Sequence, residues 1–538
     1  MKIRSVLPTI AAALLCAALQ AANPYLPLWE YIPDGEPYVF EDPDHPGQYR
    51  VYIYGSHDIE ISAYCGRNQV VWSAPVDDLR HWRYDGVIFE VSQDARGNLL
   101  NPDGRGDILF APDVVEKVAP DGKRTYYLYP NNQGWRRIGM VAKADRPDGP
   151  FTVCNWDPKD PSRSDGALGF DPGVLIDDDG RVYGYWGFSE SWGAELDPET
   201  MCTVRKGTRP VQDMISSCRQ EGVFRFFEAS SIRKVKDKYI FIYSRMTAEG
   251  EFGLPAANGT LAYAWSNAPL GPWTYGGTLI DARARGVDRE GNPIATANPN
   301  GNTHGSLCEI GGQWYIFYHR QAGPTGFSRQ AMVAPVDVEV REGPDGFVRI
   351  GEAEYTSEGF EIQGLDPREW HSAGIACHFT GPLPTEPEGL GNKYSGSHVQ
   401  PYRPEWDGKT DPYDLNLNHN PVVNNTAGSV VGYKYFNFSG LHAARAKKLL
   451  VRLIPKGVRG RIVVMADAPY SEQGGIRLGE IRLSGREPQQ SVLKCTRLRK
   501  IHGLRGKHAL YFVFESGTPD QSLCELEGFV FARKKQAI

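Results

Sequence analysis

Residues 171–187, DPGVLIDDDGRVYGYWG, contain the pattern that decides the fold. A short apolar stretch follows an acidic start, a DDDG turn reverses the chain, and aromatic residues then alternate with smaller ones. Asp and Gly supply the backbone conformations that such a turn needs. The stretch therefore predicts two antiparallel strands that begin a small sheet.

The same pattern occurs five times between about residue 30 and residue 340. A titratable residue begins each copy, and a turn and an aromatic-rich strand follow it. The starting residues are Asp34, Asp113, Asp171, Glu228 and His304. The aromatic strands lie in HPGQYRVYIYG (45–55), PDGKRTYYLYP (120–130), DDDGRVYGYWG (177–187), VKDKYIFIYS (235–244) and IGGQWYIFYH (310–319). Five four-stranded units predict an all-β, five-bladed β-propeller, because radial repetition protects sheet edges.

A titratable residue that keeps one position in every repeat points toward a common centre. Four carboxylates and a histidine gathered there would repel and desolvate one another, and such clusters are usually functional. Each residue also has a simpler explanation when it is considered alone. Asp34, Asp113 and Asp171 stand beside glycine or proline, where they serve turns and strand starts, and His304 fits a hydrogen-bonded core histidine.

Two carboxyl groups on opposite sides of a glycosidic bond are enough to hydrolyse it, one as an acid and one as a base. Glu228 follows Phe226 and Phe227, so an apolar wall is expected to raise its pKa and keep it protonated. Asp171 would raise that pKa further. Asp34 lies beside glycine-containing turns, and we expect a solvated carboxylate that activates water.

Length and composition limit the class of protein. A chain of 538 residues predicts two or three domains. With 41% hydrophobic and 23% charged residues, the composition is that of a soluble globular protein. A net charge of −6 does not indicate nucleic acid or a membrane surface as the partner, and we expect a monomer.

The chain divides into four predicted parts. Residues 1–22 resemble a signal peptide, because Lys2 and Arg4 precede a short apolar run and small residues follow it, so we expect a secreted or periplasmic protein. Residues 23–345 form the propeller, and the Pro-, Gly- and Asn-rich residues 346–425 form a linker or long loop. Residues 426–538 alternate apolar with polar side chains and predict a β-sandwich, with residue 366 as an alternative start.

Several segments resemble glycoside hydrolase family 43, the five-bladed propeller glycosidases. They are NPYLPLWEYIPDGEP (23–37), LFAPDVV (109–115), GFDPGVLIDDDGRVYGYWG (169–187), FFEASSIRK (226–234) and NTHGSLCEIGGQWYIFYHR (302–320). The resemblance spans nearly all of residues 23–340 and keeps the order of the motifs.

The resemblance implies an inverting mechanism and a role for each matching residue. Asp34 corresponds to the general base, Glu228 to the general acid, and Asp171 to the residue that orients the acid and modulates its pKa. The positions implied for the substrate site are Asp113, Arg329, Phe110 and Phe227. His304 corresponds to a histidine of the central channel that is associated with a structural calcium ion or a water cluster.

The C-terminal part resembles carbohydrate-binding modules of the family 6 type through VGYKYFNFSG (431–440) and GKHALYFVFES (506–516). Two roles are compatible with this part of the sequence, glycan binding and packing against the propeller.

The expected function is a glycosidase that releases terminal α-L-arabinofuranose or β-D-xylose from plant polysaccharides or oligosaccharides, without an organic cofactor. The alternatives are a galactan-active exo-glycosidase of the same fold and a non-catalytic, glycan-binding propeller. The sequence contains no GxSxG, HExxH or paired CxxC motif, so a serine nucleophile or a transition metal is not expected.

Overall fold

A computed structural model describes residues 22–297, 302–382, 385–388, 391–441 and 445–533. Apart from Ala22, the predicted signal peptide lies outside these residues. The described chain consists of strands and five short 3-10 helices, which confirms the all-β prediction. The helices are Glu251–Gly253, Ala373–Ile375, Phe438–Gly440, Ser471–Gln473 and Ile501–Gly503. No helix in the described ranges has the length and apolar character to span a membrane.

Five antiparallel sheets follow one another along the first part of the described chain. The first contains β1 (Glu36–Glu41), β2 (Tyr49–Tyr54), β3 (Asn68–Pro75) and β4 (Arg83–Glu90). The second contains β5 (Asp113–Val118), β6 (Arg124–Tyr129), β7 (Ala142–Ala144) and β8 (Thr152–Val153). The third contains β9 (Gly173–Ile176), β10 (Val182–Trp186), β11 (Trp192–Leu196) and β12 (Val211–Gln212).

The fourth sheet contains β13 (Phe226–Val235), β14 (Lys238–Arg245), β15 (Thr260–Ser266) and β16 (Thr274–Asp281). The hairpin of β17 (Arg285–Val287) and β18 (Pro293–Ala295) comes next. The fifth sheet has three strands, β19 (Leu307–Ile310), β20 (Gln313–Arg320) and β21 (Gln330–Val336). A hairpin of β22 (Val338–Arg341) and β23 (Phe347–Ile350) follows it.

An apolar layer lies between each of these sheets and the next, and a further layer joins the last sheet to the first. In this closing layer, Ile53 and Trp72 of the first sheet pack with Phe317 and Val333 of the fifth. The aromatic-rich second strands are buried on both faces because each sheet is covered on two sides. This ring of stacked sheets is consistent with a β-propeller.

The first strands of successive sheets also contact one another. Tyr38 of β1 donates a hydrogen bond to Asp113 Oδ1 of β5 (2.6 Å), and the Val174 amide of β9 donates to Asp113 Oδ2 (2.6 Å). Arg233 Nε of β13 donates to the Leu307 carbonyl of β19 (3.0 Å). The starts of these strands therefore surround one axis.

The C-terminal part is a sandwich of two sheets and a separate hairpin. Its strands are β24 (His371–Ser372), β25 (His378–Thr380), β26 (Thr385–Glu388), β27 (Gly391–Tyr394), β28 (His398–Val399), β29 (Val422–Val423), β30 (Val430–Asn437), β31 (Lys448–Pro455), β32 (Arg459–Ala466), β33 (Ile476–Ser484), β34 (Val492–Arg497), β35 (Lys507–Ser516) and β36 (Cys524–Ala532). One sheet has the order β28-β29-β36-β31-β34, with β24 also paired to β36. The other has the order β25-β30-β35-β32-β33, and β26 pairs with β27.

The region predicted as a linker, residues 346–425, contributes strands to this sandwich. β24 and β29 pair with β36, and β25 pairs with β30. These pieces are only two or three residues long, so no alternation of apolar and polar residues marks them in the sequence. Between them the chain crosses to the ring of sheets, where it packs against residues near the N-terminus.

Replacing Gly305 by alanine tests the close approach of the chain at the start of the fifth sheet. A Cβ there would lie 1.9 Å from the backbone oxygen of Phe317, so the backbone would have to move. We expect Gly305→Ala to lower the free energy of unfolding in urea by about 2 to 3 kcal/mol. Gly503→Ala is the control, because nothing lies within 4 Å of its Cβ position. Equal stability of the two variants would contradict the packing described here.

Candidate active site

Four of the predicted site residues come together at one end of the ring of sheets. His304 Nδ1 lies 3.7 Å from Asp171 Oδ2. Burial raises the pKa of Asp171 well above its usual value, and the negative charges of Glu228 and Asp34 raise it further. Carboxyl groups affect one another in this way only at short range, so Asp34, Asp171, Glu228 and His304 share one site.

Asp113 lies deeper along the axis. It faces Tyr129 across β5 and β6, as Gly173 faces Tyr185 across β9 and β10. Asp113 is therefore the counterpart of Gly173, two residues beyond the level of Asp171. The common position predicted for all five repeat starts does not hold for Asp113, because aligning the prolines of APDV and DPGV places an alanine opposite Asp171.

The backbone around the site adopts left-handed conformations that non-glycine residues seldom occupy. The φ angles are 60° at Asp34, 50° at Asp171, 69° at Ala229 and 53° at Ser328. Such conformations cost about 1 to 3 kcal/mol each and persist where the surrounding structure enforces them. They occur at two of the acids and directly beside Glu228 and Arg329.

Asp34 is held by three side chains. Arg329 Nη1 donates to Oδ1 and Oδ2 at 3.0 and 3.1 Å, and Ser56 Oγ donates to Oδ2 at 2.6 Å. His319 Nδ1 lies 3.1 Å from Oδ1. Burial alone would raise the pKa of Asp34, but the Arg329 charge and the His319 contact outweigh it and hold the pKa well below its usual range. Asp34 is 4% exposed, so the expectation of a solvated carboxylate was wrong: arginine, not water, keeps it ionised.

A second carboxylate fixes the arginine. Asp58 is fully buried, and its Oδ2 accepts hydrogen bonds from the amide and Nε of Arg329, both at 3.0 Å. Its Oδ1 accepts from Arg329 Nη2 at 2.9 Å and from the Cys65 amide at 2.8 Å. The Tyr64 ring lies 4.8 Å from the guanidinium carbon of Arg329. Arg329 therefore has one orientation, with Nη1 directed at Asp34.

Glu228 differs from the other two acids in both access and charge. Its side chain is partly exposed, whereas Asp34 and Asp171 are buried. Desolvation by its surroundings raises the pKa of Glu228 to about 7, and the negative charge of Asp34 adds to the rise, while Arg329 and Asn302 oppose it. Glu228 can therefore carry a proton at neutral pH and present it to a bound molecule.

Asp171 is anchored from two sides. Asn131 Nδ2 donates to Oδ1 at 2.8 Å, and the Ala229 amide donates to Oδ2 at 3.1 Å. These bonds fix the carboxyl beside Glu228. Burial lowers the pKa of His304 to about 4, so the imidazole that faces Asp171 is neutral at neutral pH.

Aromatic side chains border the acids. Phe110, Phe170, Phe188 and Phe227 form a continuous row with ring centroids 5.9, 5.4 and 5.1 Å apart. The predicted pocket residues Phe110 and Phe227 are the two ends of this row. Phe188 is 52% exposed, so it presents an apolar surface to solvent beside Glu228.

A second polar cluster lies one layer deeper. Arg233 Nη2 donates to Glu36 Oε2 at 2.8 Å, and Arg233 Nη1 donates to the Tyr38 hydroxyl at 3.2 Å. Burial raises the pKa of Asp113 to about 7, and the charge of Glu36 adds to it. Asp113 thus belongs to a buried network beneath the site and does not meet the other three acids.

The environment of His304 does not fit a calcium site built from protein ligands. Calcium takes six to eight oxygen ligands at about 2.3 to 2.6 Å. His304 faces Asp171 Oδ2 at 3.7 Å and Glu36 Oε1 at 3.9 Å, and Arg233 already places a positive charge on Glu36. The ranges that the structure describes contain no group of three histidine, cysteine or acidic residues suited to a metal ion.

Four residues of the site, Ser56, Asp58, Asn131 and His319, were not predicted from the sequence. All four follow or end the second strand of a repeat, and antiparallel pairing returns that end to the level of the acids. The signal was present in the sequence, since polar residues follow or end the aromatic strands in YIYGSHD, YLYPNN and IFYHR.

Comparison with known proteins shows the family of this chain. The family model for glycosyl hydrolases family 43 matches residues 40–342. The chain is 35% identical over 451 residues to a xylosidase/arabinosidase of Thermoclostridium stercorarium, an alignment that covers 80% of this chain and 85% of that protein. This chain belongs to glycosyl hydrolase family 43, which confirms the predicted family and makes it a glycosidase.

More distant relatives also match. The chain is 28% identical over 325 residues to xylosidase/arabinosidase 43A of Humicola insolens, covering 52% of this chain and 88% of that protein. A solved family 43 arabinoxylan arabinofuranohydrolase of Bacillus subtilis, in complex with cellotetraose, is 21% identical with a TM-score of 0.43 and covers 96% of this chain and 100% of its own. A beta-xylosidase/alpha-arabinofuranosidase from a compost microbial metagenome was solved with xylotriose in a calcium-free form. It is 21% identical with a TM-score of 0.40, and the match covers 60% of this chain and 96% of that one.

The raised pKa of Glu228 predicts a specific pH dependence. If Glu228 acts as the acid, the protonated form is active, so kcat/KM falls as pH rises through about 7. The measurement is kcat/KM against pH between 5 and 9 with a xylo- or arabino-oligosaccharide, whose leaving oxygen needs the proton. Loss of the Glu228 proton should also appear as a carboxyl titration near pH 7 in NMR of the free enzyme. A kcat/KM that stays constant to pH 9 would contradict the assignment.

Proposed function

We propose that this protein is an inverting glycosidase that releases terminal α-L-arabinofuranose or β-D-xylose from plant polysaccharides or oligosaccharides. The relatives named xylosidase/arabinosidase support the sugar class. The site itself supports the reaction type, because three carboxyls meet beside an aromatic border. Its substrate is an arabinose- or xylose-containing glycan.

The contrast between Asp34 and Glu228 carries the proposal. Asp34 is ionised by the Arg329 charge, and Glu228 holds a proton near neutral pH. Hydrolysis of a glycoside requires this pair of opposite protonation states in one site. A purely structural cluster would have no need to keep one acid charged and another protonated and partly exposed.

The proposed reaction follows from these states. Asp34 takes a proton from a water molecule as the water oxygen attacks the anomeric carbon, and the bond from that carbon to the leaving oxygen breaks. Glu228 gives its proton to the leaving oxygen. Attack and departure on opposite faces invert the anomeric configuration. Proton exchange with solvent then restores both carboxyl groups.

Asp171 supports the acid in this scheme. Its contacts with Asn131 and the Ala229 amide fix it next to Glu228. Electrostatic repulsion opposes simultaneous ionisation of Asp171 and Glu228, so the pair retains a proton near neutral pH. We assign Asp171 the role of keeping the acid protonated and correctly oriented.

The architecture that we propose is a five-bladed propeller whose aromatic border receives the sugar. Phe188 and Phe227 offer faces on which a sugar ring can stack beside Glu228. The chain would reach its glycan substrates after secretion through the predicted signal peptide.

For the sandwich we propose structural support of the propeller and not glycan binding. Carbohydrate surfaces depend on exposed aromatic rings, and within residues 426–441 and 445–533 no Trp, Tyr or Phe belongs to the exposed large apolar side chains. Its aromatic residues lie mainly in the core, where Phe529 packs on Tyr433, Phe436 and Phe512.

A substrate screen tests the proposal most directly. The purified protein is incubated with arabinan, arabinoxylan, xylo-oligosaccharides, galactan and aryl glycosides, and released monosaccharides are identified by chromatography. We expect arabinose or xylose, and proton NMR of the first product should show the inverted anomer. Release of galactose would favour the galactan-active alternative, and a retained anomer would exclude the proposed mechanism.

Substitution of Glu228 by glutamine tests the acid. We expect Glu228→Gln to reduce kcat on xylo- or arabino-oligosaccharides by about 10² to 10⁴-fold, the typical contribution of acid catalysis. A dinitrophenyl pentoside should be far less affected, because its leaving group needs no proton. The isosteric change should leave the unfolding temperature within a few degrees of the parent. Equal loss on both substrates would contradict an acid role.

A further inference from the structure

Residues 398–423, termed the bridging segment, pass from the sandwich to the ring of sheets and back. The Leu28 amide donates to Asn418 Oδ1 at 2.7 Å, and Trp29 Nε1 donates to the Pro412 carbonyl at 3.0 Å. Trp406 packs on Trp29 with ring centroids 5.3 Å apart. The segment is thus fixed against the chain that immediately precedes Asp34.

Arg403 reaches from the bridging segment toward the site. Its Nη1 donates to the carbonyl oxygens of Asp58 and Ile59 at 3.3 and 3.2 Å. Its Nη2 lies 3.3 Å from Glu30 Oε1 and 2.6 Å from His57 Nε2. One guanidinium therefore contacts the backbone of the residue that holds Arg329 and two buried polar groups next to it.

The bridging segment also contacts the loop that bears Arg329. The Val399 amide donates to the Ala322 carbonyl at 2.8 Å, and a Cβ on Gly323 would lie 3.1 Å from Pro401. Both partners of the Asp58–Arg329 ion pair are thus supported by this one segment. Each lies on a loop and not within a strand, so their positions depend on such support.

We propose that Arg403 is a positioning residue for the base, acting through Asp58 and Arg329 on Asp34. The inference rests on the proposed function for the role of Asp34. Arg403 holds the Asp58–Ile59 backbone, the Asp58 carboxylate orients Arg329, and Arg329 Nη1 keeps Asp34 ionised and directed. A residue of the C-terminal half of the chain thereby completes the active site of the propeller.

The physical consequence of losing Arg403 follows from this series of contacts. Glu30 and His57 would lose a buried partner, and two carbonyls would lose their donor, so the loop around Asp58 would relax. A displacement of about 1 Å at a reacting group can reduce turnover 10²-fold. With Arg329 further from Asp34, the pKa of Asp34 rises, because Arg329 is the main charge that lowers it.

The test uses the full chain and three variants, R403M, R403K and R289M. Arg289 is the matched control, because it also joins the two parts of the chain through a carboxylate, Glu472 at 2.6 Å, and an aromatic ring, Tyr470. We expect R403M to lower kcat at least tenfold with KM changed less than threefold. In R403M, the acidic limb of the plot of kcat/KM against pH should move to higher pH. R403K should recover part of the loss, and R289M should match the parent in both readouts.

A crystal structure of R403M supplies a readout that does not depend on turnover. We expect Arg329 Nη1 to lie beyond hydrogen-bond distance of Asp34. If R403M does not fold, R403K carries both measurements, since lysine retains the charge beside Glu30 but cannot reach both carbonyls. The inference is overturned if R403M keeps both the acidic limb of the parent's kcat/KM profile and the Arg329–Asp34 hydrogen bond, whatever its activity. A parent protein inactive on every pentoside would instead refute the proposed function, and the crystal structure alone would then decide the role of Arg403.

Discussion

The ion cluster of Arg329 with Asp34 and Asp58 is the interaction on which the site depends. One buried guanidinium serves two buried carboxylates, and each of the three residues comes from a different loop of the ring. Removing Arg329 would leave two uncompensated carboxylates in a region of low dielectric, which is strongly destabilising. The cluster also spans the contact between the first and fifth sheets. Closure of the ring and ionisation of Asp34 are therefore parts of one arrangement.

Short-range patterns predicted much of the fold and part of the site. The hairpins with aromatic second strands are local features of the sequence. The positions of Asp34, Asp171 and Glu228 along the central axis followed from their places at the starts of these hairpins. The position of Asp113 along this axis was not predicted correctly. Pro112 precedes Asp113 and aligns with Pro172, which follows Asp171, so Asp113 lies two residues beyond the position of Asp171. The burial of Asp34 was not predictable either, since its arginine lies 295 residues away in the sequence.

In the C-terminal part, too, contacts between residues far apart in the sequence were not predictable. Its long strands alternate clearly, and a sandwich followed from them. The strands β24, β25, β28 and β29 are too short to produce a pattern, so the region around them was predicted as a linker. The packing of Trp406 on Trp29 and Trp72 depends on pairs of residues more than 300 positions apart. Only the folded chain shows that this region joins the sandwich and packs against the ring of sheets.

The anchoring of the N-terminal residues by the bridging segment affects how the protein can be made. Tyr413 donates a hydrogen bond to the Tyr25 carbonyl across 388 residues of sequence. At a synthesis rate of about 5 to 20 residues per second, the first strand region waits roughly 20 to 80 s before its partner exists. During that time Leu28, whose side chain belongs to the core of the sandwich, lacks its final neighbours. The N-terminal residues can therefore complete their packing only after the bridging segment has been synthesised.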